Sequence, residues 1–479
     1  MVGKELIMSV EKFDLVVLGS GPAGEKGAAA AAYFGKKVAL IEKENVLGGA
    51  AANTGTLPSK TLRESALYLS GFKQRKLFGF QVDMKKTIHI SDFMAHERVV
   101  TDNERQRIRE NLARHGITVF RGMSSFSDSG TVVVKPDRCP EIQLKADRFL
   151  IATGSYPFRP KNFPFHDPRV LDSDTILTLD DIPESMLVIG GGVIGCEYAC
   201  MFAALGVRVC IVEKSEKIVG GMDSEISTSL KSRMESAGIK FFMGDSVIKI
   251  ECGKLVEVEL ESSVTIQTHA VLVSSGRSGQ TGSIGLDNVD IPTNSRGHIL
   301  VNEHFQTKQP HIYAAGDVIG NPSLASTAMA QGRIAVYHAF GLKQTAHFPS
   351  LLPSGLYTIP ECSSAGQSEE QLNEADIPYV AGRASYANNA RGQIIGDTEG
   401  SLKLLFHRDT KKLLGVHVIG EGATEIVHIG LTVMVMDGGV DVFIDTCYNY
   451  PTISEVYKYA CYDALAKLDK INKSKQEPS

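Results

Sequence analysis

A chain of 479 residues has room for about three domains. Its 43% apolar and 22% charged residues match a globular protein and exclude a disordered or fibrous one. With 50 Lys+Arg against 55 Asp+Glu and no run of one sign, it lacks the basic face a nucleic-acid binder needs, and no apolar stretch reaches the ~20 residues of a membrane helix. Lys4, Glu5, Glu11, Lys12 and Asp14 break up any signal-peptide core, and the eight cysteines are widely spaced. The sequence therefore predicts reduced thiols in a cytoplasm.

In chain order, Phe13–Leu18 reads as a short buried strand, and it leads directly into Gly19-Ser-Gly21-Pro-Ala-Gly24. The alanine-rich stretch Ala28–Ala32 favours helix, and a second strand, Val38–Ile41, ends in Glu42. The same pattern recurs 171 residues later: Met186–Ile189, then Gly190-Gly-Gly192-Val-Ile-Gly195, a helix, and Val207–Val212 ending in Glu213. The chain thus holds two β-α-β units of one design.

In each copy the acid stands 18 residues after the last glycine, close to the ~20 of a dinucleotide-binding unit. The first glycine permits the tight turn and the second lets a pyrophosphate approach the backbone. The third lets helix and strand pack closely, while helix N–H groups hold the phosphates. The acid accepts hydrogen bonds from ribose hydroxyls.

Between and beyond the units, Ser91–Arg114 predicts a long charged helix stopped at Gly116. Ile117–Phe120 and Thr131–Val134 predict strands of a sheet inserted in the first unit. Arg148–Gly154 is a strand running into a tight turn where the chain leaves the first domain, and Val271–Arg277 is its counterpart for the return. His311–Asp317 is another strand ending in Gly-Asp, followed by a helix through Met329. Past a proline-marked junction at Pro349–Pro360, strands Leu402–Phe406 and Gly415–Ile419 and helices Thr424–Met436 and Ser454–Leu468 predict a third domain, with Lys470–Ser479 as a frayed tail. The expected organisation is α/β: a dinucleotide-binding domain of residues 1–155 and 278–349, a second of 156–277, and an α+β interface domain of 350–479.

The two glycine motifs, with Ala152-Thr153-Gly154 and Ala315-Gly316-Asp317, resemble the FAD- and NAD(P)-dependent disulfide reductases, over roughly residues 13–468. The resemblance implies that Gly19, Gly21, Gly24, Glu42, Lys60, Gly122, Thr153, Gly154, Asp317 and Ala325 contact FAD. It implies that Gly190, Gly192, Gly195, Glu197, Glu213, Val247 and Gly276 contact the nicotinamide nucleotide, and that the C-terminal domain pairs two subunits into a homodimer with shared active sites. Lys60 and Glu197 form, in that family, an ion pair beside the flavin where hydride arrives.

The family's redox segment, Gly-Gly-x-Cys-x-x-x-x-Cys-x-Pro-Ser-Lys, is here Gly48-Gly49-Ala50-Ala51-Ala52-Asn53-Thr54-Gly55-Thr56-Leu57-Pro58-Ser59-Lys60. Ala51 and Thr56 replace both sulfurs, and neither can relay electrons to a disulfide. The family's C-terminal His-x-His-Pro-Thr is here Tyr448-Asn449-Tyr450-Pro451-Thr452, so a phenol of ordinary pKa ~10 replaces an imidazole of ~6.5. The chain is not expected to reduce disulfides, while Lys60 and Glu197 remain. Tyr450 and Glu455 join them as candidate catalytic residues, Tyr450 either hydrogen-bonding or filling the space of the lost imidazole.

The segments 275–281, 320–326, 351–361, 425–430 and 448–455 resemble the soluble FAD-containing pyridine nucleotide transhydrogenases. That resemblance implies ping-pong hydride transfer between NAD(H) and NADP(H) through FAD. Ala51 departs from a cysteine common in that family, and Glu213 reads as an acid that prefers NADH, with Lys214 and Lys217 near enough in sequence to screen a 2′-phosphate. The alternatives are an NADH-dependent quinone or dye reductase (or oxidase) and a non-catalytic binding subunit. Cys196 and Cys200, one turn apart with no ligand cluster nearby, read as core residues rather than a metal site. His428 reads as a buried structural histidine, and Cys447 as a thiol without a partner.

Overall fold

A computed structural model describes residues 10–71, 88–342 and 347–476. The first sheet is built on strand Val10–Leu18, which pairs in parallel with Val38–Glu42 on one side and with Ile142–Ile151 on the other. Val16, Val17 and Leu18 are fully buried because helices and loops cover both faces, which is why this strand reads as a continuous apolar run rather than an alternation. Burying each such side chain contributes roughly 1.5–3 kcal/mol.

Thr118–Arg121 corrects one expectation. It lies at the far parallel edge, beside Val38–Glu42, and not in the insertion. The insertion consists of Met123–Asp128 and Thr131–Lys135, which pair antiparallel with each other, and Thr131–Lys135 pairs antiparallel with the first half of Ile142–Ile151. Ile312–Ala314 returns late in the chain to pair with the second half of that strand.

Helix Pro22–Tyr33 starts with proline in its first turn, where the missing N–H costs nothing. It crosses helix Ala325–Ala339 very closely, because a Cβ on Gly332 would collide with the Ala23 backbone. Helix Ile90–Arg114 ends where Gly116 takes a left-handed conformation (φ 65°).

The second sheet is parallel throughout, in the order Lys240–Met243, Arg208–Glu213, Ser185–Ile189, Ala270–Val273, Val170–Asp172. The chain passes between the two sheets through Ser155–Pro157 and back through Arg277–Gly279, and these crossovers pair antiparallel with each other. The third sheet is antiparallel, in the order 354–356, 362–366, 413–419, 401–407, 379–385, with helices Ala423–Val435 and Val456–Gln476 on it. The last helix corrects the expectation of a frayed tail: Lys470–Gln476 stay helical, and 477–479 lie outside the described residues.

A buried ion cluster docks the third sheet on the second. Lys403, 4% exposed, donates to both oxygens of Asp223 at 2.9 Å and lies 3.1 Å from Glu225 and 3.0 Å from Glu369. Arg383 bridges the same two glutamates at 2.7 and 3.1 Å. Asp223 caps helix Ser224–Ser236 of the second unit, so the cluster ties that helix to strands 379–385 and 401–407.

Candidate functional site

The glycines of each motif divide by what surrounds them. A Cβ on Gly24 would drive into the Gly19 carbonyl, and one on Gly195 into the Gly190 carbonyl, so the third glycine of each motif is required by packing. Gly19 and Gly190 adopt φ 103° and 104°, where other residues are strained. The middle glycines differ: Gly21 has its nearest neighbour at 3.9 Å and Gly192 has none within 4 Å. Each opens onto space at the N-terminus of a helix, where an anion is favoured.

The acids are held by the residue after each first glycine, which the motif alone did not single out. Glu42, 6% exposed, accepts the Ser20 N–H at 3.0 Å and the Ser20 hydroxyl at 2.5 Å, and that hydroxyl in turn accepts the Gly48 N–H at 2.9 Å. In the second unit Gly191 occupies the matching position, and its N–H donates to Glu213 at 2.6 Å while the Ser215 N–H donates to the other oxygen at 2.8 Å. Lys217 turns away from Glu213, onto the Met222 carbonyl and the Ser224 hydroxyl, leaving Lys214 as the exposed neighbouring ammonium.

Of the remaining candidates, Thr153, Gly154, Gly276 and Asp317 lie at the crossovers. Gly122, in a left-handed conformation, donates its N–H to the Glu42 carbonyl at 3.0 Å. The Thr153 hydroxyl is buried with no hydrogen-bond partner, an orphan that a ligand oxygen or nitrogen would satisfy. Next to it Ser155 donates to Asp317 at 2.9 Å, and Arg277 holds Ser155 through its hydroxyl at 2.7 Å and its carbonyl at 2.8 Å. Burial pushes the Asp174 carboxyl up despite Arg277, 3.8 Å away. Gly154 and Gly276 form the two turns, Ala325 opens its helix and Val247 opens strand Val247–Cys252. The open middle glycines, the anchored acids and the unpartnered threonine together fit two extended dinucleotides.

Lys60 and Glu197 meet. The ammonium donates to Oε1 at 2.9 Å and Oε2 at 2.7 Å of the buried Glu197 carboxylate. The Tyr357 N–H donates to Glu197 Oε1 at 2.9 Å, a contact with no sequence signal. Ala51 lies in the short helix Gly49–Asn53 and Thr56 opens helix Thr56–Leu69, with no sulfur at either place.

The structure does not bring Tyr450 or Glu455 to this pair: Tyr450 is 75% exposed, and Glu455 ends the short turn Ile453–Glu455. His428 is exposed rather than buried, on the outer face of helix Ala423–Val435. Cys447 is exposed, while Cys196 and Cys200 are buried in the core and burial pushes their thiols up, Cys200 to about 12. No group able to hold a metal ion occurs among the described residues, and no described helix is long and apolar enough to cross a membrane.

Residues 13–332 match the pyridine nucleotide-disulphide oxidoreductase family, and residues 352–461 match its dimerisation domain. The chain belongs to this family. It is therefore an FAD-dependent oxidoreductase that uses nicotinamide nucleotides, and it pairs with a second copy through its C-terminal domain. A soluble pyridine nucleotide transhydrogenase of Mycobacterium bovis is 44% identical over 97% of this chain and 99% of its own length. One of Chromohalobacter salexigens is 39% identical over 96% of this chain and 100% of its own. The Escherichia coli HOCl-induced flavoprotein disulfide reductase RclA, as its Cu(II) complex, superposes with a TM-score of 0.86 at 25% identity, covering 95% of this chain and 99% of that one.

Proposed function

We propose that this protein is a cytoplasmic pyridine nucleotide transhydrogenase, with residues 1–155 and 278–349 holding FAD, 156–277 holding the nicotinamide nucleotide and 350–479 forming the dimer interface. The single observation that carries this reading is the closed Lys60–Glu197 ion pair in a chain whose sulfur positions are Ala51 and Thr56. FAD held there supplies the hydride chemistry, accepting from one nicotinamide nucleotide and donating to a second. The names of relatives 39–44% identical over nearly the whole chain support the same activity, and eight free cysteines suit a reducing compartment.

Each residue then has a physical task. Gly19, Gly21 and Gly24 with Glu42, Gly122, Thr153, Gly154, Asp317 and Ala325 bind the flavin nucleotide along the first unit. Gly190, Gly192, Gly195, Glu213, Val247 and Gly276 bind the nicotinamide nucleotide along the second. Lys60 and Glu197 fix a charge where the two meet and orient the reacting rings. Tyr450, exposed in one subunit, and the half-buried Glu455 complete the site of the partner.

The test is anaerobic stopped-flow of FAD-loaded enzyme. NADH or NADPH bleaches the flavin, and the oxidised form of the other nucleotide restores its colour. A flavin that stays reduced in NAD and NADP sinks the assignment. The Glu213 anchors favour one second reading, NADH-dependent reduction of a quinone or dye, in which case a quinone alone restores the colour.

A further inference from the structure

Lys60 and Glu197 have a third neighbour that comes from neither dinucleotide-binding unit. Tyr357 follows strand Ser354–Leu356 of the third sheet. Its N–H donates to Glu197 Oε1 at 2.9 Å, and its ring lies beneath the Lys60 ammonium, with Nζ 4.9 Å from the ring centroid. One residue thus touches both members of the pair. A lysine ammonium on a flexible four-carbon stem is hard to hold in one place with a single carboxylate. An aromatic face adds a second attraction from a different direction.

Tyr357 is itself held in place. Arg63, one helical turn beyond Lys60 on helix Thr56–Leu69, reaches the next residue of the segment, its Nε donating to the Thr358 carbonyl at 2.9 Å. Arg63 also lies 3.2 Å from Glu361, whose carboxylate accepts the N–H and hydroxyl of Thr424 at 3.2 and 2.8 Å. Lys60 and Arg63, both on one helix of the first unit, therefore grip the same stretch of the third domain.

We propose that Tyr357 is a positioning residue, which places the Lys60 ammonium and the Glu197 carboxylate for hydride transfer and makes their geometry depend on the docking of the dimerisation domain. This rests on the reading of Lys60 and Glu197 as the hydride-transfer pair. The ring face and the backbone N–H do the work, so the phenol oxygen is dispensable.

The experiment compares FAD-loaded wild type with Tyr357→Met, which fills similar volume without a ring, Tyr357→Phe, Lys60→Met and the Tyr357→Met/Lys60→Met double variant. Two quantities are read: the midpoint potential of bound FAD by dye equilibration, and the anaerobic rate of its reduction by NADH. Lys60→Met removes a positive charge and lowers the potential. Tyr357→Met also lowers it and slows reduction about tenfold, within the range of a partly buried cation–π contact. Tyr357→Phe restores both to within about twofold of wild type in rate. In the Lys60→Met background, Tyr357→Met adds nothing further.

Wild-type potential and rate in Tyr357→Met, or full additivity in the double variant, overturn the proposal. So does loss of bound FAD from Tyr357→Met but not Tyr357→Phe, since the ring would then be a packing element. A Lys60→Met variant with unchanged potential and rate instead overturns the reading of the pair, which separates the two failures.

Discussion

Lys60 Nζ stands 2.7 Å from Glu197 Oε2, a salt bridge between residues 137 apart in sequence, on helices of two different units. The carboxylate side chain is 4% exposed and the lysine side chain 27%. Hydrogen bonds to a charged group at such a site contribute about 1.5–3 kcal/mol, more than at the surface. Glu197→Gln keeps an acceptor oxygen but removes the charge. FAD binding should persist, while reduction of the bound flavin by NADH slows roughly 10- to 100-fold, equivalent to about 1.4–2.7 kcal/mol of barrier. Single-turnover stopped-flow measures this, and an unchanged rate would remove Glu197 from the reaction.

The middle and third glycines of the second motif should separate binding from folding. Gly192→Ala places a methyl in open space, so the chain folds and retains FAD but loses affinity for NADH. Gly195→Ala sets a methyl against the Gly190 carbonyl and the Ser274 hydroxyl, and it should lower the melting temperature as well. Thermal melts beside NADH titrations decide the matter. Equal melting temperatures for the two variants would contradict the division.

Glu213 is anchored by two backbone N–H groups, and Lys217 is committed to Met222 and Ser224. A 2′-phosphate ~4 Å from that carboxylate meets about 4 kcal/mol of repulsion per unit charge at an effective dielectric of 20, before screening by salt and Lys214. NADP should bind the FAD-loaded enzyme roughly 10- to 100-fold more weakly than NAD, or about 1.4–2.7 kcal/mol. Glu213→Ser should narrow the gap by relieving the repulsion. Calorimetric titration giving equal dissociation constants in the wild type would refute this role.

The docking cluster predicts acid sensitivity. Burial raises the Glu225 carboxyl, but hydrogen bonds from Arg383 and Lys403 outweigh it and bring the pKa from 4.5 to about 2. A carboxylate held low in the folded state contributes stability that is fully present above its unfolded value, 4.5, and is lost as pH falls toward about 2. The melting temperature should therefore drop across that window, and Glu225→Gln should flatten the drop while lowering the value near neutrality. Parallel slopes for wild type and variant in scanning calorimetry would show that Glu225 carries none of it.

The repeat of two β-α-β units was legible in the sequence because its causes are local. A left-handed turn at Gly19 or Gly190 and a helix-strand approach at Gly24 or Gly195 each exclude a Cβ over a few residues, so each writes its requirement into adjacent letters. The absence of sulfur at Ala51 and Thr56 is likewise a property of the letters alone. Packing over long separations decided the rest. Tyr357 reaches Glu197 across 160 residues and Lys217 swings away from the acid it neighbours in sequence. His428 lies on the face of an apolar helix that its own subunit leaves open, while Thr118–Arg121 takes a parallel edge and does not pair with the strands that follow it. Periodicity shows that a side chain has a face, but only the tertiary arrangement determines what that face meets, because the contact depends on elements folded in from distant parts of the chain.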